Sequence, residues 1–394
     1  MRDAVIVEAV RTPIGKGKPG GALASVHPVE LLAHTLRTLV QRSGIDPALV
    51  DDVIGGTVDQ VGEQAMNTTR YAWLSAGFPD SVPATTVDRQ CGSSQQAVHF
   101  AAQGVIAGAY DIVVACGVES MSRVPMWSNV PAGADPFGPG VAARYPEGLV
   151  PQGISAELIA AHWKLDREAM DVFSADSHAK AARAWDSGLF DAETAPLTTP
   201  DGRLVARDES MRPSTTPEIL AGLRPAFADE GFAARFPQID WSVTAGNSSP
   251  VNDGAAALLI MSSETAARLG LRPLARLHSF AVTGSDPIMM LTGVIPAAQK
   301  VLQRAGLGID DIDLFEVNEA FASVPLAWLA ETGADPARLN VHGGAIALGH
   351  PLGASGARLM TTLVHAMRER GARYALQTMC EAGGLANATL LERV

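Results

Sequence analysis

The feature that most constrains this chain is an internal repeat. The stretch QRSGID at 41–46 recurs as QRAGLG at 303–308, each time between an amphipathic helical pattern and a strand pattern. A second stretch, GAYDIVVACG at 108–117, has its counterpart in GARYALQTMC at 371–380. The matching glycines lie 262 positions apart in the first pair and 263 in the second. Two matches at nearly the same offset predict two duplicated α/β halves.

Short β-branched runs alternate with helical patterns in both halves. The predicted strands are Ala4–Val7, Asp111–Ala115, Ala256–Met261 and Tyr374–Thr378. The predicted helices between them are 31–40, 94–107 and 296–302. Apolar strands separated by helices are typical of buried, largely parallel sheets.

The sequence pattern changes between residues 119 and 248. Prolines interrupt this stretch repeatedly, and only 155–163 and 167–187 have sustained helical patterns. We interpret it as an inserted loop domain that carries a binding surface. A partly disordered linker is the alternative, which four tryptophans in the stretch disfavour.

Three parts of the chain follow from this interpretation. Residues 1–118 together with 249–270 are predicted to form the N-terminal half, 119–248 the loop domain, and 271–394 the C-terminal half.

Charge and cysteine content exclude several classes of function. A net charge of −12 argues against general nucleic-acid binding, which needs a basic surface, but leaves room for one local basic pocket. Three cysteines without a Cys-x-x-Cys unit disfavour a disulfide framework or a zinc site, and the scattered histidines show no metal-ligand spacing. No apolar run approaches the roughly 20 residues that span a bilayer, and the start resembles a strand rather than a signal peptide. We therefore expect a soluble, reduced, cytoplasmic protein with no bound metal and no membrane partner.

Cys91 is the first candidate catalytic residue. It follows a strand pattern and precedes a helical pattern that begins near Ser94. A thiol at a helix N-terminus lies near the positive end of the helix dipole, which predicts a lowered pKa. A lone cysteine in an alanine-rich helical setting is more often an inert core residue, and only the partners described next favour catalysis.

His350 and Cys380 are the candidate partners. His350 lies in a glycine-rich turn, GGAIALGHPLGASG at 343–356, which has no Gly-Lys-Ser/Thr sequence and is therefore not a phosphate loop. An imidazole with an unshifted pKa near 6.5 suits removal of a thiol proton. Cys380 ends a predicted strand and enters the turn EAGG at 381–384. Cys116 lies at the matching place in the first half, where we predict no function.

Asn318 follows the predicted strand Leu314–Val317, at the edge where a parallel sheet opens to ligands. A helix cap before the following helical pattern is an equally good interpretation of this residue. A thiol nucleophile, a base and a second thiol are what reversible acyl transfer between thiols requires.

The chain resembles the thiolases from end to end. The motifs that carry the resemblance are VRTPIG at 10–15, DRQCGSSQQA at 88–97, TAGNSS at 244–249, NDGAAA at 252–257, NEAF at 318–321, the glycine-rich turn with His350, and QTMCEAGG at 377–384. The segments 88–97 and 377–384 narrow the resemblance to degradative, steroid-type thiolases of actinobacteria.

This resemblance implies a five-layered αβαβα fold of two duplicated halves with a loop domain, assembled as a homodimer or homotetramer. It also implies CoA-dependent thiolytic cleavage of a 3-ketoacyl-CoA, a reversible Claisen condensation, through an acyl-Cys91 intermediate. His350 would assist Cys91, Cys380 would exchange the proton of the acetyl-CoA carbanion, and Asn318 with His350 would stabilise one oxyanion. Coenzyme A and acyl-CoA would be substrates, with no resident cofactor.

The resemblance further assigns binding roles. The backbone N–H groups of Cys91 and Ala382 would stabilise the second oxyanion. Ala382 stands where the family commonly has glycine, so the site is distorted if this position requires positive φ. The residues implied in contacts with CoA or substrate are Ser249, Arg212, Phe227, Ala245 and Phe321. Arg212 has the alternative of an exposed loop charge.

Other functions remain open at this level. A decarboxylating ketosynthase usually pairs its cysteine with two histidines, and Cys380 disfavours it. A non-catalytic acyl-CoA- or lipid-binding protein of the same fold is the alternative from another class. The acyl group, the direction of reaction and the choice of dimer or tetramer do not follow from the motifs.

Overall fold

The computed structural model describes residues 2–394. The strands are β1 (Val5–Arg11), β2 (Gly15–Lys16), β3 (Asp52–Gly56), β4 (Ala84–Val87), β5 (Ile112–Ser120), β6 (Leu197–Thr198), β7 (Leu204–Val205), β8 (Asn252–Met261), β9 (Ala275–Gly284), β10 (Leu314–Val317), β11 (Tyr374–Glu381) and β12 (Leu385–Glu392). The helices are α1 (Pro28–Ser43), α2 (Thr68–Ser75), α3 (Ser93–Ala107), α4 (Gly138–Arg144), α5 (Gln152–Trp163), α6 (Arg167–Asp186), α7 (Pro217–Ala221), α8 (Glu230–Arg235), α9 (Ser263–Arg268), α10 (Val294–Ala305), α11 (Ser323–Thr332), α12 (Ala345–Leu348) and α13 (Leu352–Arg370).

The main sheet is continuous and mixed. Its strand order is β10-β11-β12-β9-β1-β8-β5-β3-β4, and the two halves join where Val5 and Ile6 of β1 pair with β9. Only the pairs β10–β11, β3–β4 and β3–β5 are parallel. The expectation of largely parallel sheets is therefore wrong. The strands are apolar on both faces because helices cover both faces, and this burial does not depend on strand direction.

Alternating side chains of each strand enter different cores, which defines the layers. Along β8, Leu258 and Ile260 pack with α3 and α13, whereas Leu259 and Met261 pack with α1 and α2. In the other half, the opposite face of β12 packs against α10 and α11. The helices α3 and α13 pack between the strands of the two halves, so the continuous sheet contributes two layers. The order of layers is helix, sheet, helix, sheet, helix, and the predicted five-layered α/β fold is confirmed.

The sequence repeat marks equivalent helix ends. Gly44 ends α1 with φ 70° and Gly306 ends α10 with φ 68°, and each leads through a 3-10 turn into a strand, β3 or β10. Gly108 and Gly371 end α3 and α13 in the same way, before β5 and β11. Left-handed φ at a helix C-terminus is most accessible to glycine, which explains why these positions match in the two halves.

The segment between β5 and β8 contains α4 to α8 and the ribbon β6–β7. It is structured rather than a linker: Trp185 of α6 is 5% exposed, packs on Phe190, and donates a hydrogen bond to Asp208. The division of the chain at residues 118, 248 and 270 stays a prediction. Among residues 2–394, no helix has the length and apolar character that crossing a bilayer requires.

Candidate active site

Cys91 lies in a tight turn between β4 and α3. Gln90, just before it, has a left-handed backbone with φ 50°. The Ser93 hydroxyl stabilises this turn, because it donates to the Gln90 carbonyl at 2.6 Å and accepts from the Arg89 N–H at 2.9 Å. Cys91 itself is 5% exposed and lies in the wall of an internal cavity.

The expected lowering of the Cys91 pKa is wrong for this state of the protein. Burial, together with the nearby Glu381, raises the pKa of Cys91 to about 12, and the Gln152 side chain opposes the rise. The helix dipole is a weaker influence than the loss of water around the thiol. Cys91 is therefore held as a thiol, and its use as a nucleophile would require a base.

His350 is positioned by a close approach of the backbone at Gly349 to the side chains of Asn252 and Ile14. Gly349 has φ 110°, and a side chain there would come within 2.7 Å of Asn252 and Ile14. Asn252 also accepts a hydrogen bond from the His350 N–H at 2.9 Å. Because only glycine fits before it, the imidazole is brought against the start of β8.

Hydrogen bonds define the tautomer of His350. The Ser355 hydroxyl donates its single hydrogen to the Pro351 carbonyl at 2.7 Å, and His350 Nδ1 lies 2.6 Å from the same oxygen. With the hydroxyl hydrogen on the Pro351 carbonyl, Nδ1–H donates to the Ser355 oxygen, and a neutral ring then has its lone pair on Nε2. The Asn318 amide nitrogen lies 3.5 Å from Nε2, as a donor should.

The prediction of an unshifted pKa for His350 is also wrong. Burial and then the Arg358 guanidinium lower the pKa of His350 to about 3. The ring is 4% exposed, and Arg358 is completely buried. His350 is therefore neutral at physiological pH, with its basic nitrogen available.

Asn318 follows β10, as predicted, but it does not cap a helix. The next helix, α11, begins five residues later at Ser323 and has no side-chain cap. Asn318 is fully buried, and its Oδ1 makes no hydrogen bond to any residue in 2–394. Its amide instead lies beside His350, which supports the ligand-edge interpretation over the cap.

Cys380 ends β11 and is 1% exposed. Burial raises its pKa, and the neighbouring Cys91 and Glu381 add to the rise. In the turn that follows, the positive φ values belong to Gly383 and Gly384, at 80° and 77°, and not to Ala382. Alanine is therefore accommodated at 382 without backbone strain.

Two neighbouring cavities meet at these residues. One, of about 360 Å³, has Cys91 and Ala382 in its wall, and the other, of about 290 Å³, has His350. Their shared wall residues are Met126, Trp127, Gln152 and Leu352. We refer to them as the Cys91 chamber and the His350 chamber.

The residues implied in CoA binding divide into two groups. Ser249, Phe227 and Phe321 line the His350 chamber, and the two phenylalanine rings pack edge to face at 5.9 Å. Arg212 and Ala245 line a separate cleft of about 30 Å³ nearer the surface. The structure thus brings three of the five together around His350. The roles of all five stay predictions.

Several residues of the site were missed in the sequence. Glu119, near the end of β5, accepts hydrogen bonds from the N–H groups of Val58 and Gly353 at 2.9 and 2.8 Å. It thus connects the start of α13 to the segment that follows β3. Ser355 and Asn252 hold the His350 ring and backbone. Asn252 lies in a quoted motif, but a polar residue beside a strand does not by itself indicate its partner 98 positions away.

No cluster of three or more histidine, cysteine or acidic side chains able to hold a metal ion occurs in the described part of the chain.

Two duplicated halves that meet around a buried cysteine, histidine and second cysteine define a thiolase-like protein. The chain matches the family description "Thiolase, N-terminal domain" over residues 4–264 and "Thiolase, C-terminal domain" over residues 271–393. The chain belongs to the thiolase family.

Named relatives share its full length. A steroid 3-ketoacyl-CoA thiolase of Mycobacterium tuberculosis is 47% identical over 100% of this chain and 95% of its own. A 3-ketoacyl-CoA thiolase of Erwinia tasmaniensis is 44% identical, with 100% of both chains covered. The crystal structure of an acetyl-CoA acetyltransferase of Bacillus anthracis superimposes with a TM-score of 0.89 at 39% identity, covering 100% of this chain and 99% of that one.

Proposed function

We propose that this protein catalyses CoA-dependent thiolytic cleavage of a 3-ketoacyl-CoA to acetyl-CoA and a shortened acyl-CoA, through an acyl-Cys91 intermediate. The observation that carries the proposal is the position of a buried His350, with Nδ1 against the Ser355 hydroxyl and Nε2 against the Asn318 amide, in a chamber that adjoins the one holding Cys91. Full-length identity of 43–47% to proteins named 3-ketoacyl-CoA thiolase supports it.

In the first half-reaction, His350 assists removal of the Cys91 proton and the thiolate attacks the ketone carbon of the substrate. The bond between the α-carbon and the ketone carbon breaks, the acyl group remains on Cys91, and Cys380 protonates the acetyl-CoA carbanion. In the second, Cys380 takes the proton of free CoA, whose sulfur attacks acyl-Cys91; the bond between the acyl carbon and Cys91 breaks, the shortened acyl-CoA leaves, and Cys91 takes its proton back from His350. A Cys380 thiol with a raised pKa can still protonate the much more basic carbanion, and the thiolate that it leaves is basic enough to take the proton of CoA.

Two oxyanions form in this sequence, and each needs donors already in place. Asn318, acting through a water molecule, and His350 would stabilise the thioester oxygen of the acetyl unit. The backbone N–H groups of Cys91 and Ala382 would stabilise the oxygen of the acyl group, since both residues line the Cys91 chamber. His350 can donate from Nε2 once it holds the Cys91 proton, whereas Asn318 and the backbone N–H groups are neutral donors throughout.

The two chambers suggest where the parts of the substrate lie. The pantetheine of CoA would enter past Ser249, Phe227 and Phe321, and the acyl group would occupy the Cys91 chamber. Arg212 and Ala245, nearer the surface, would contact the adenine end. The protein would then use CoA as a substrate and have no resident cofactor.

The protein would work as a homodimer or homotetramer in a reducing compartment such as the cytoplasm. Cys91, Cys116 and Cys380 are all free thiols. The sheet ends at β4, and the side chains of Met66 and Tyr71 are 77% and 46% exposed. Light scattering after gel filtration would measure the oligomeric state.

The deciding experiment is incubation with acetyl-CoA followed by digestion and mass spectrometry, with Cys91→Ser as the control. Acetylation of Cys91 in the wild type and not in the control supports the proposal. If neither acetyl-CoA nor longer acyl-CoAs modify the protein, it is a non-catalytic binding protein of the thiolase family.

A further inference from the structure

Asp59 is an unusual residue in the wall of the Cys91 chamber. It lies just beyond β3 and is 2% exposed. Its Oδ1 is enclosed and accepts no hydrogen bond from residues 2–394. Buried polar atoms in folded proteins are nearly always paired, so an unpaired one in the wall of a cavity calls for an explanation, of which a functional role is one.

No positive charge compensates this carboxyl. Burial raises the pKa of Asp59, the backbone N–H groups of Asn129 and Trp127 oppose the rise, and the charged neighbour that acts on it is another acid, Asp88. Its position is therefore costly for folding, and the two N–H groups offset only part of that cost.

The rest of the chamber would accept an apolar group well beyond acetyl in size. At about 360 Å³ it has room for roughly ten groups of the size of a water molecule, each about 30 Å³. Its apolar wall residues include Val58, Met126, Val130, Phe137, Leu352 and Leu385. Asp59 is thus the one carboxyl in a largely apolar wall, where the other polar side chains are the Cys91 thiol and the amides of Gln90, Asn129 and Gln152.

We propose that Asp59 is a specificity-determining residue that accepts a hydrogen bond from a hydroxyl group on the acyl chain. The enzyme then prefers 3-ketoacyl-CoA substrates whose medium-sized acyl group carries a hydroxyl. This inference rests on the proposed function, which places the acyl group in the Cys91 chamber. A site built to bind a hydroxyl discriminates strongly against an analogue without one, since its buried acceptor is then left unpaired.

The test is a comparison of kcat/KM for 3-ketooctanoyl-CoA and its 6-, 7- and 8-hydroxy derivatives. For the wild type we expect at least one hydroxylated substrate to exceed the plain one by about tenfold or more. In Asp59→Leu this ratio falls to about one, whereas Asp59→Asn retains part of it because the amide oxygen still accepts. Asp80→Leu, which removes an exposed carboxylate outside the chambers, leaves the ratio unchanged.

Three results would overturn the inference, and they are distinguishable. Turnover of all four substrates at similar kcat/KM by the wild type removes the specificity and leaves the thiolase function intact. An equal loss of kcat/KM for every substrate in Asp59→Leu shows that Asp59 only holds the loop at Trp127 and Asn129. Absence of turnover with any substrate, and of acyl-Cys91, removes the proposed function as well.

Discussion

The Ser355 hydroxyl lies 2.6 Å from His350 Nδ1 while donating to the Pro351 carbonyl, and this arrangement determines which imidazole nitrogen can act as a base. Ser355 is in the first turn of α13, five residues from the histidine it orients. The helix start therefore positions both the ring and its proton.

Loss of the Ser355 hydroxyl should lower the rate of catalysis while the Cys91, His350 and Cys380 side chains stay in place. Ser355→Ala frees His350 Nδ1, so the wrong tautomer becomes populated, and we expect kcat to fall about tenfold, the equivalent of one hydrogen bond. Ser355→Thr keeps the hydroxyl and should restore most of the rate. Steady-state thiolysis of acetoacetyl-CoA measures both. Equal activity of wild type and Ser355→Ala would refute the role.

Asn318 should matter more in the transition state than in binding. Removing an oxyanion donor typically lowers kcat by about 10² to 10³. Asn318→Ala should therefore lose kcat by that factor with little change in KM. A matching rise in KM with unchanged kcat would instead indicate a contact with bound substrate.

The alkylation of Cys91 should report its raised pKa. Burial and Glu381 both disfavour the thiolate, so the rate with iodoacetamide should rise tenfold per pH unit from pH 6 to 9 with no plateau, unlike a free thiol that levels off near its pKa of about 8.5. Glu381→Gln removes a negative charge where that carboxyl is ionised, and should increase the rate at the alkaline end. Glu264→Gln, on the exposed side of α9, is the matched control.

The turn after Cys380 should tolerate glycine at 382 and resist alanine at 383. Ala382 does not have positive φ, so Ala382→Gly keeps the backbone donor, leaves activity within about twofold, and lowers unfolding free energy by about 0.4–1 kcal/mol through the unfolded chain. Gly383, at φ 80°, is different. Gly383→Ala should cost about 1–2 kcal/mol and lower kcat, as measured by urea denaturation and thiolysis.

Glu316 should make the protein less stable as pH rises. It is fully enclosed, its Oε1 has no hydrogen-bond partner among the described residues, and burial raises its pKa from 4.5 to about 8. Between those values the folded protein holds a proton that the unfolded chain has lost, so the free energy of unfolding falls with increasing pH. Glu316→Gln should flatten this dependence.

The difference in the free energy of unfolding between Glu316→Gln and the wild type should change by an amount on the order of 3 kcal/mol between pH 5.5 and 8. Urea denaturation at both pH values measures it. A difference that is constant with pH would show that Glu316 does not titrate in this window.

The sequence alone allowed much of the fold and the chemical groups to be predicted. The repeat matches Gly44 with Gly306 and Gly108 with Gly371 because each glycine meets a local requirement. A helix that turns into a strand needs left-handed backbone at its end. Cys91, His350 and Cys380 stand in turns with sufficient local signal to be identified one by one. For Asn318 the sequence supports both a helix cap and a ligand-edge position, and only its neighbour His350 in the structure decides between them.

Only the tertiary structure decided what those groups can do. The pKa directions of Cys91 and His350 were predicted incorrectly, because both depend on burial by segments distant in the chain. The mixed strand pairing was missed because an apolar run records burial and not direction. Glu119 and Asp59 lie in no distinctive motif, and Ser355, which lies in the glycine-rich turn, has no local signal that marks it as the partner of His350. Local sequence determines which groups and turns the chain has, whereas pKa values and hydrogen-bond partners depend on what surrounds each group in three dimensions.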